Sequence, residues 1–167
     1  MLYHTIAVFA VILLAALPAQ AEEVSNQDRA LGNECRPFRL VVEDMTEDAT
    51  KIGLTKDQVE ITIRSRLRAA QIYEEDFPAP AFYVHINVID RAFNINFQFI
   101  RFIEGYTRDY FPISFDDALL KSFFAITWDT GILGVHGGDA DYILSALARA
   151  TDLFVDDYLR VNAEACQ

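Results

Sequence analysis

Ala81-Phe82-Tyr83-Val84-His85-Ile86-Asn87-Val88-Ile89-Asp90-Arg91-Ala92-Phe93-Asn94-Ile95-Asn96-Phe97-Gln98 is the stretch that decides the architecture. Phe82, Val84, Ile86 and Val88 fall on one face of an extended chain, and Tyr83, His85, Asn87 and Ile89 fall on the other. After Asp90-Arg91 the alternation resumes, with Phe93, Ile95 and Phe97 opposed to Asn94, Asn96 and Gln98. A period of two with one apolar face predicts half-buried antiparallel strands, here joined by a tight turn near Asp90-Arg91.

Downstream, Gly105 to Leu120 is aromatic but irregular, and Pro112 bars a central strand there. Lys121 to Thr130 supplies a third strand, with Phe124, Ile126 and Trp128 expected on one side. Gly131-Ile132-Leu133-Gly134-Val135-His136-Gly137-Gly138 is expected as a glycine-rich connection. Asp139 then caps a helix running to about Asn162, with Asp141 in its first turn favoured by the helix dipole. Ile143, Leu147, Ala150, Phe154, Tyr158 and Val161 form its apolar stripe, with Asp156 and Arg160 on the outside.

Upstream, Glu74-Glu75-Asp76 and the Pro78-x-Pro80 pair interrupt the chain. Before them, Thr55-Lys56-Asp57-Gln58 is a capping box. Val59, Ile63, Leu67 and Ala70 continue it as one helical face, ending near Gln71, with Arg64, Arg66 and Arg68 largely off that face. Phe38 to Asp44 is expected as the first strand, residues 43–50 as a loop, and 22–34 as a flexible polar lead-in. The order is β-α-β-β-β-α. It predicts an α+β two-layer sandwich: a mainly antiparallel four-stranded sheet with two helices on one face, forming a single domain over 35–167.

The first 21 residues carry the compartment. Ile6 to Leu17 is an unbroken apolar run, followed by Pro18 and then Ala19-Gln20-Ala21, small residues that suit signal peptidase with Glu22 as the new terminus. About a dozen apolar residues fall short of the ~20 that a spanning helix needs. His4 and the terminal amine stand in for the usual basic flank, so an uncleaved anchor is the alternative. No Cys follows Ala21 and no paired arginines precede the run, which argues against lipoprotein acylation and twin-arginine export.

Removing 21 residues from 167 leaves 146, enough for one domain with a sizeable core. The formal charge of −11 lies wholly in that part. An acidic field repels phosphate backbones and anionic lipid, so neither nucleic acid nor, after signal cleavage, membrane is an expected partner. Cys35 and Cys166 are the only cysteines. In an exported chain they favour a disulfide tying the terminal helix to the first strand, with two free thiols or an intermolecular bond as alternatives.

Candidate sites are few. The loop before the last helix could hold an anion on backbone N–H groups, but it matches neither Gly-x-Gly-x-x-Gly nor a P-loop, and Asp139 and Asp141 would repel phosphate. His136, Asp139 and Asp141 form a weak candidate for a metal or a hydrolytic centre. Asp116-Asp117 and Asp156-Asp157 are carboxylate pairs expected simply to be solvated. No nucleophile elbow, Ser-x-x-Lys or calcium loop is present, so no cofactor or metal is expected. The polar strand face, Tyr83, His85, Asn87, Asn94, Asn96 and Gln98, with the aromatic segment 105–115 nearby, is the stronger candidate. Directed amides among aromatic walls suit a sugar or a peptide, while the bland reading is an ordinary solvated sheet face.

Four blocks resemble those of small exported bacterial proteins of unassigned function: Leu67-Arg68-Ala69-Ala70-Gln71-Ile72, Phe82 to Val88, Thr127-Trp128-Asp129-Thr130-Gly131-x-x-Gly134, and Phe154-Val155-Asp156-Asp157-Tyr158-Leu159-x-x-Asn162. The resemblance spans roughly 55–162 and implies a bacterial cell envelope and a single α+β domain, with no catalytic residues to carry over. The unusually aromatic 97–115 segment departs from it. The leading expectation is a non-catalytic periplasmic or secreted module that binds an envelope protein or a small ligand. A small hydrolase using carboxylates or His136 near Gly131–Gly138 is the alternative. A structural accessory that dimerises through an exposed sheet edge is a third possibility.

Overall fold

The computed structural model describes residues 30–77, 80–106 and 120–166. Its elements are β1 (Arg39–Val42), α1 (Glu47–Lys51), α2 (Lys56–Ala69), β2 (Ala81–Ile89), β3 (Ala92–Tyr106), β4 (Leu120–Val135) and α3 (Ala140–Val161). The four strands form one sheet in the order β1-β2-β3-β4, with β1 parallel to β2 and the other pairs antiparallel. A parallel pair needs a crossover, which α1 and α2 provide. The α+β class, the four-stranded sheet and the placement of the two long helices on one face follow the sequence expectation. The segment 1–21, Asp116-Asp117 and most of the irregular aromatic stretch lie outside the described residues.

Alternation in β2 and β3 produces the expected two-faced hairpin. Phe82, Val84, Ile86 and Val88 of β2 and Phe93, Ile95, Phe97 and Phe99 of β3 are buried under the helices. Ile89 pairs with Ala92, leaving the two-residue turn Asp90-Arg91, and Asp90 adopts the left-handed φ of 51° that such a turn asks of its first residue. α2 opens on the Thr55–Gln58 capping box and buries Val59, Ile63 and Leu67. α3 is capped by Asp139 and buries Ile143, Leu147, Phe154 and Tyr158. Phe154 is the hub of the core. It stacks on Phe82 with centroids 4.0 Å apart and touches Phe38, Phe99, Trp128 and Tyr158. Arg66 of α2 pairs with Asp152 of α3 at 2.8 Å, joining the helices at their outer seam.

Four local expectations are corrected. The stretch 43–50 contains α1, whose N-cap is the Thr46 hydroxyl accepting from the Ala49 N–H. Five residues are too few to show a helical period. The strand expected to end at Thr130 continues to Val135, so the turn is confined to His136–Asp139. Gly131 and Gly134 lie inside that strand because their neighbours come close. A Cβ on Gly134 would sit 2.6 Å from two ring carbons of Phe93, and one on Gly131 would sit 3.2 Å from the Asn96 Oδ1.

Third, Trp128 does not share a face with Phe124 and Ile126. Phe99 pairs with Trp128 whereas Ile100 pairs with Ile126, so a bulge at Thr127 turns Trp128 inward and leaves Ile126 and Phe124 outward. Fourth, the end of the polar lead-in is packed. Leu31 is wholly buried, and the Asn33 N–H donates to the Asn162 Oδ1 at 2.7 Å. The Asn162 side-chain N–H groups reach the Leu31 and Tyr158 carbonyls, while the Tyr158 hydroxyl donates to the Arg36 carbonyl. Beside this network Cys35 and Cys166 form the disulfide, 131 residues apart in sequence.

Candidate functional site

The face of the sheet turned away from the helices is set by the same alternation that builds the core. Register places Tyr83 opposite Gln98, His85 opposite Asn96 and Asn87 opposite Asn94. All six residues of the polar strand face therefore come together as three successive cross-strand pairs. Directly opposed residues stand about 5 Å apart, so one ligand can touch both members of a pair. Asn94 is exposed and the other five are half-buried, with no helix over them among the described residues. The side-chain amides of Asn87, Asn94, Asn96 and Gln98 make no hydrogen bond within the described residues, so their donors and acceptors point to solvent.

Neighbouring strands frame this strip. On the β1 side, Glu43 brings a carboxylate oxygen to 3.4 Å from the His85 Nε2, a charged contact when the imidazole is protonated. On the β4 side, Asp129 pairs with Gln98, and Gly131 lies beside Asn96, leaving that amide over bare backbone. Past the strip, β3 and β4 continue as a two-stranded arm. Its outward side is apolar: Phe102 and Phe124 meet edge to face at 5.4 Å, with Ile126 next to them. Glu43, Asp129 and the Phe102–Phe124 pair were not named from sequence. Glu43 continues the period of two from Val41, whereas the outward placement of Phe124 and Asp129 depends on the Thr127 bulge, which has no sequence mark.

The loop candidate is taken apart by the structure. His136 is only 4 % exposed. Its Nδ1 lies 2.9 Å from the Gly138 N–H and so accepts, which places the ring hydrogen on Nε2, 2.9 Å from the Asp90 carbonyl. Both ring nitrogens are thus engaged by backbone, and the His136 N–H also bonds the Arg91 carbonyl. The residue clamps the end of β4 to the β2–β3 turn. The Asp139 carboxylate caps α3 by accepting from the Asp141 N–H, and Asp141 is exposed. His136, Asp139 and Asp141 are therefore adjacent in sequence but employed separately. Among the described residues no three His, Cys, Asp or Glu side chains gather as a metal site. Asp157 of the helical carboxylate pair binds Arg160 at 2.8 Å.

Two features bear on compartment. Among the described residues no helix is long and apolar enough to cross a membrane. The Cys35–Cys166 bridge fits an oxidising, extracytoplasmic setting. Comparison with protein-family models, with curated proteins and with solved structures finds no match for this chain.

Proposed function

We propose that this protein is a non-catalytic binding module of the bacterial cell envelope that holds a sugar or a short peptide on the outer face of its sheet. The observation that carries the reading is the alignment of Asn87, Asn94, Asn96 and Gln98, four carboxamides with no partner among the described residues, in register with Tyr83 and His85. Carboxamides donate and accept at once, as hydroxyl-rich and amide-rich ligands require. The apolar Phe102–Phe124 end of the face supplies a surface for the less polar side of such a ligand. A signal-like first 21 residues and the disulfide support a periplasmic or secreted location.

The test is an amide-resolved NMR titration of the disulfide-bonded protein with panels of short oligosaccharides and short peptides. Saturable shifts centred on Tyr83, His85, Asn96 and Gln98, and lost in an Asn96→Ala/Gln98→Ala variant, are the expected result. Shifts confined to other surfaces, or no saturable response in either panel, overturn the reading. Location is checked by intact mass of the protein recovered from the periplasm, expected to begin at Glu22 with both thiols protected until reduction.

A further inference from the structure

A cavity of about 410 Å³ lies between the inner face of β4 and α3, on the opposite side of the sheet from the amide strip. Thr130 and Ile132 contribute from the strand, and Arg149, Leu153 and Asp157 from the helix. Leu153 is 66 % exposed at the cavity, and Leu133, which borders it but pairs with Asn94 on the other face of the sheet, is 79 % exposed. β4 borders this space as an edge strand: it pairs with β3 on one side and, among the described residues, with nothing on the other. Natural edges are guarded by lysines, prolines or a covering element. From Phe123 to Val135 this strand carries no proline and no basic residue, and Asp129 is its single charge. A long apolar edge beside an apolar groove calls for a strand to pair with it and side chains to fill the space.

The charges around the groove identify the occupant. α3 returns along β4, with Tyr142 beside Phe93 at one end and Phe154 beside Trp128 at the other. On its groove side Leu153 stands midway between Arg149 and Asp157, four residues from each. Arg149 has no ion-pair partner among the described residues. If two such helices pack antiparallel about a two-fold axis near Leu153, Arg149 faces Asp157 of the partner subunit, and the same pair recurs on the other side of the axis. That is the self-complementarity an isologous contact demands. Antiparallel pairing of two β4 edges sets the two α3 helices antiparallel as well, so strand and helix ask for the same operator.

We propose that a second copy of this chain covers the β4 edge, giving a continuous eight-stranded sheet with α3 packed against α3 across the axis. The test is sedimentation velocity over a concentration series of the full chain, recovered as its expression host processes it. The expected result is twice the monomer mass, with Leu153→Glu or Arg149→Asp weakening self-association by roughly tenfold or more. The charge swap Arg149→Asp/Asp157→Arg is expected to restore it. Leu153 and Arg149 are exposed and Asp157 is half-buried beside Arg160, and unchanged circular dichroism of the variants separates lost association from lost folding. A monomer at ~100 μM, the outcome if a small ligand or another segment of the chain fills the groove, overturns the proposal. So does a dimer indifferent to all three variants.

Discussion

His136 has the residue type and the acidic neighbours of a catalytic centre, yet its two nitrogens are bonded to the Gly138 N–H and the Asp90 carbonyl. His136→Phe takes the ring partner away from both part-buried backbone groups, which costs about 1 kcal/mol. A denaturant midpoint lowered by that amount is the expected readout, and a midpoint equal to wild type would remove the clamp role. Gly134 makes the complementary case, because it is needed for space. Gly134→Ala forces the Phe93 ring aside from a Cβ at 2.6 Å and is expected to destabilise by about 1–3 kcal/mol. Gly131→Ala crowds the movable Asn96 amide and meets the Ile95 carbonyl at an ordinary contact distance of 3.4 Å, so its effect is expected chiefly on ligand shifts at Asn96 rather than on stability. None of the three roles was legible in sequence. A glycine or a histidine announces what it permits, and only the partner strand shows what is required of it.

Elements with a long period were the legible ones. β2, β3, α2 and α3 each repeat their apolar spacing often enough to expose a face, and the amide strip followed because it is the other half of that alternation. α1 was invisible for want of length, and β4, whose start was read correctly, was misjudged in its end and in its faces for two reasons. Glycines weaken strand propensity, and the Thr127 bulge shifts the alternation by one residue, so strict alternation assigns Ile126 and Trp128 to one face that they do not share. Caps were legible, being local chemistry. Thr55→Ala leaves the Gln58 N–H without the hydroxyl that accepts from it, while the reciprocal bond from the Thr55 N–H to the Gln58 Oε1 is kept. It is expected to lower stability by about 1 kcal/mol in chemical denaturation.

For the whole molecule, a seam ties residues 31–36 to residues 158–166. The buried Asn33–Asn162–Tyr158 network and the Cys35–Cys166 bridge join segments over 120 residues apart. Closing so long a loop is worth about 5 kcal/mol in the loop-entropy model. Cys35→Ala/Cys166→Ala is therefore expected to cost about 2–5 kcal/mol, read from the denaturation midpoint against the oxidised protein.

The same seam predicts a response to alkali. Burial pushes the Tyr158 phenol above its ordinary 10.0, opposed by the hydrogen bond from Asn33. Above about pH 10 the unfolded chain releases this proton while the folded one retains it. Its contribution is thus complete below pH 10 and is lost as pH rises through the higher folded value. Wild type is expected to lose more stability than Tyr158→Phe between about pH 8 and pH 11, and parallel losses would rule out this titration.

The bridge also has a mechanical meaning. Cys35 and Cys166 lie 5.1 Å apart at their Cα atoms, so the sheet and the helices hang from the chain's main line as one covalently closed ring. Tension applied between a tether ahead of Leu31 and a load at Gln167 runs through Cys35, the sulfur–sulfur bond and Cys166. It bypasses every strand and helix between them. Under such a load only the packing of Leu31 and Asn33, which precede Cys35, carries force, and reduction is what lets force reach the strands and helices inside the ring.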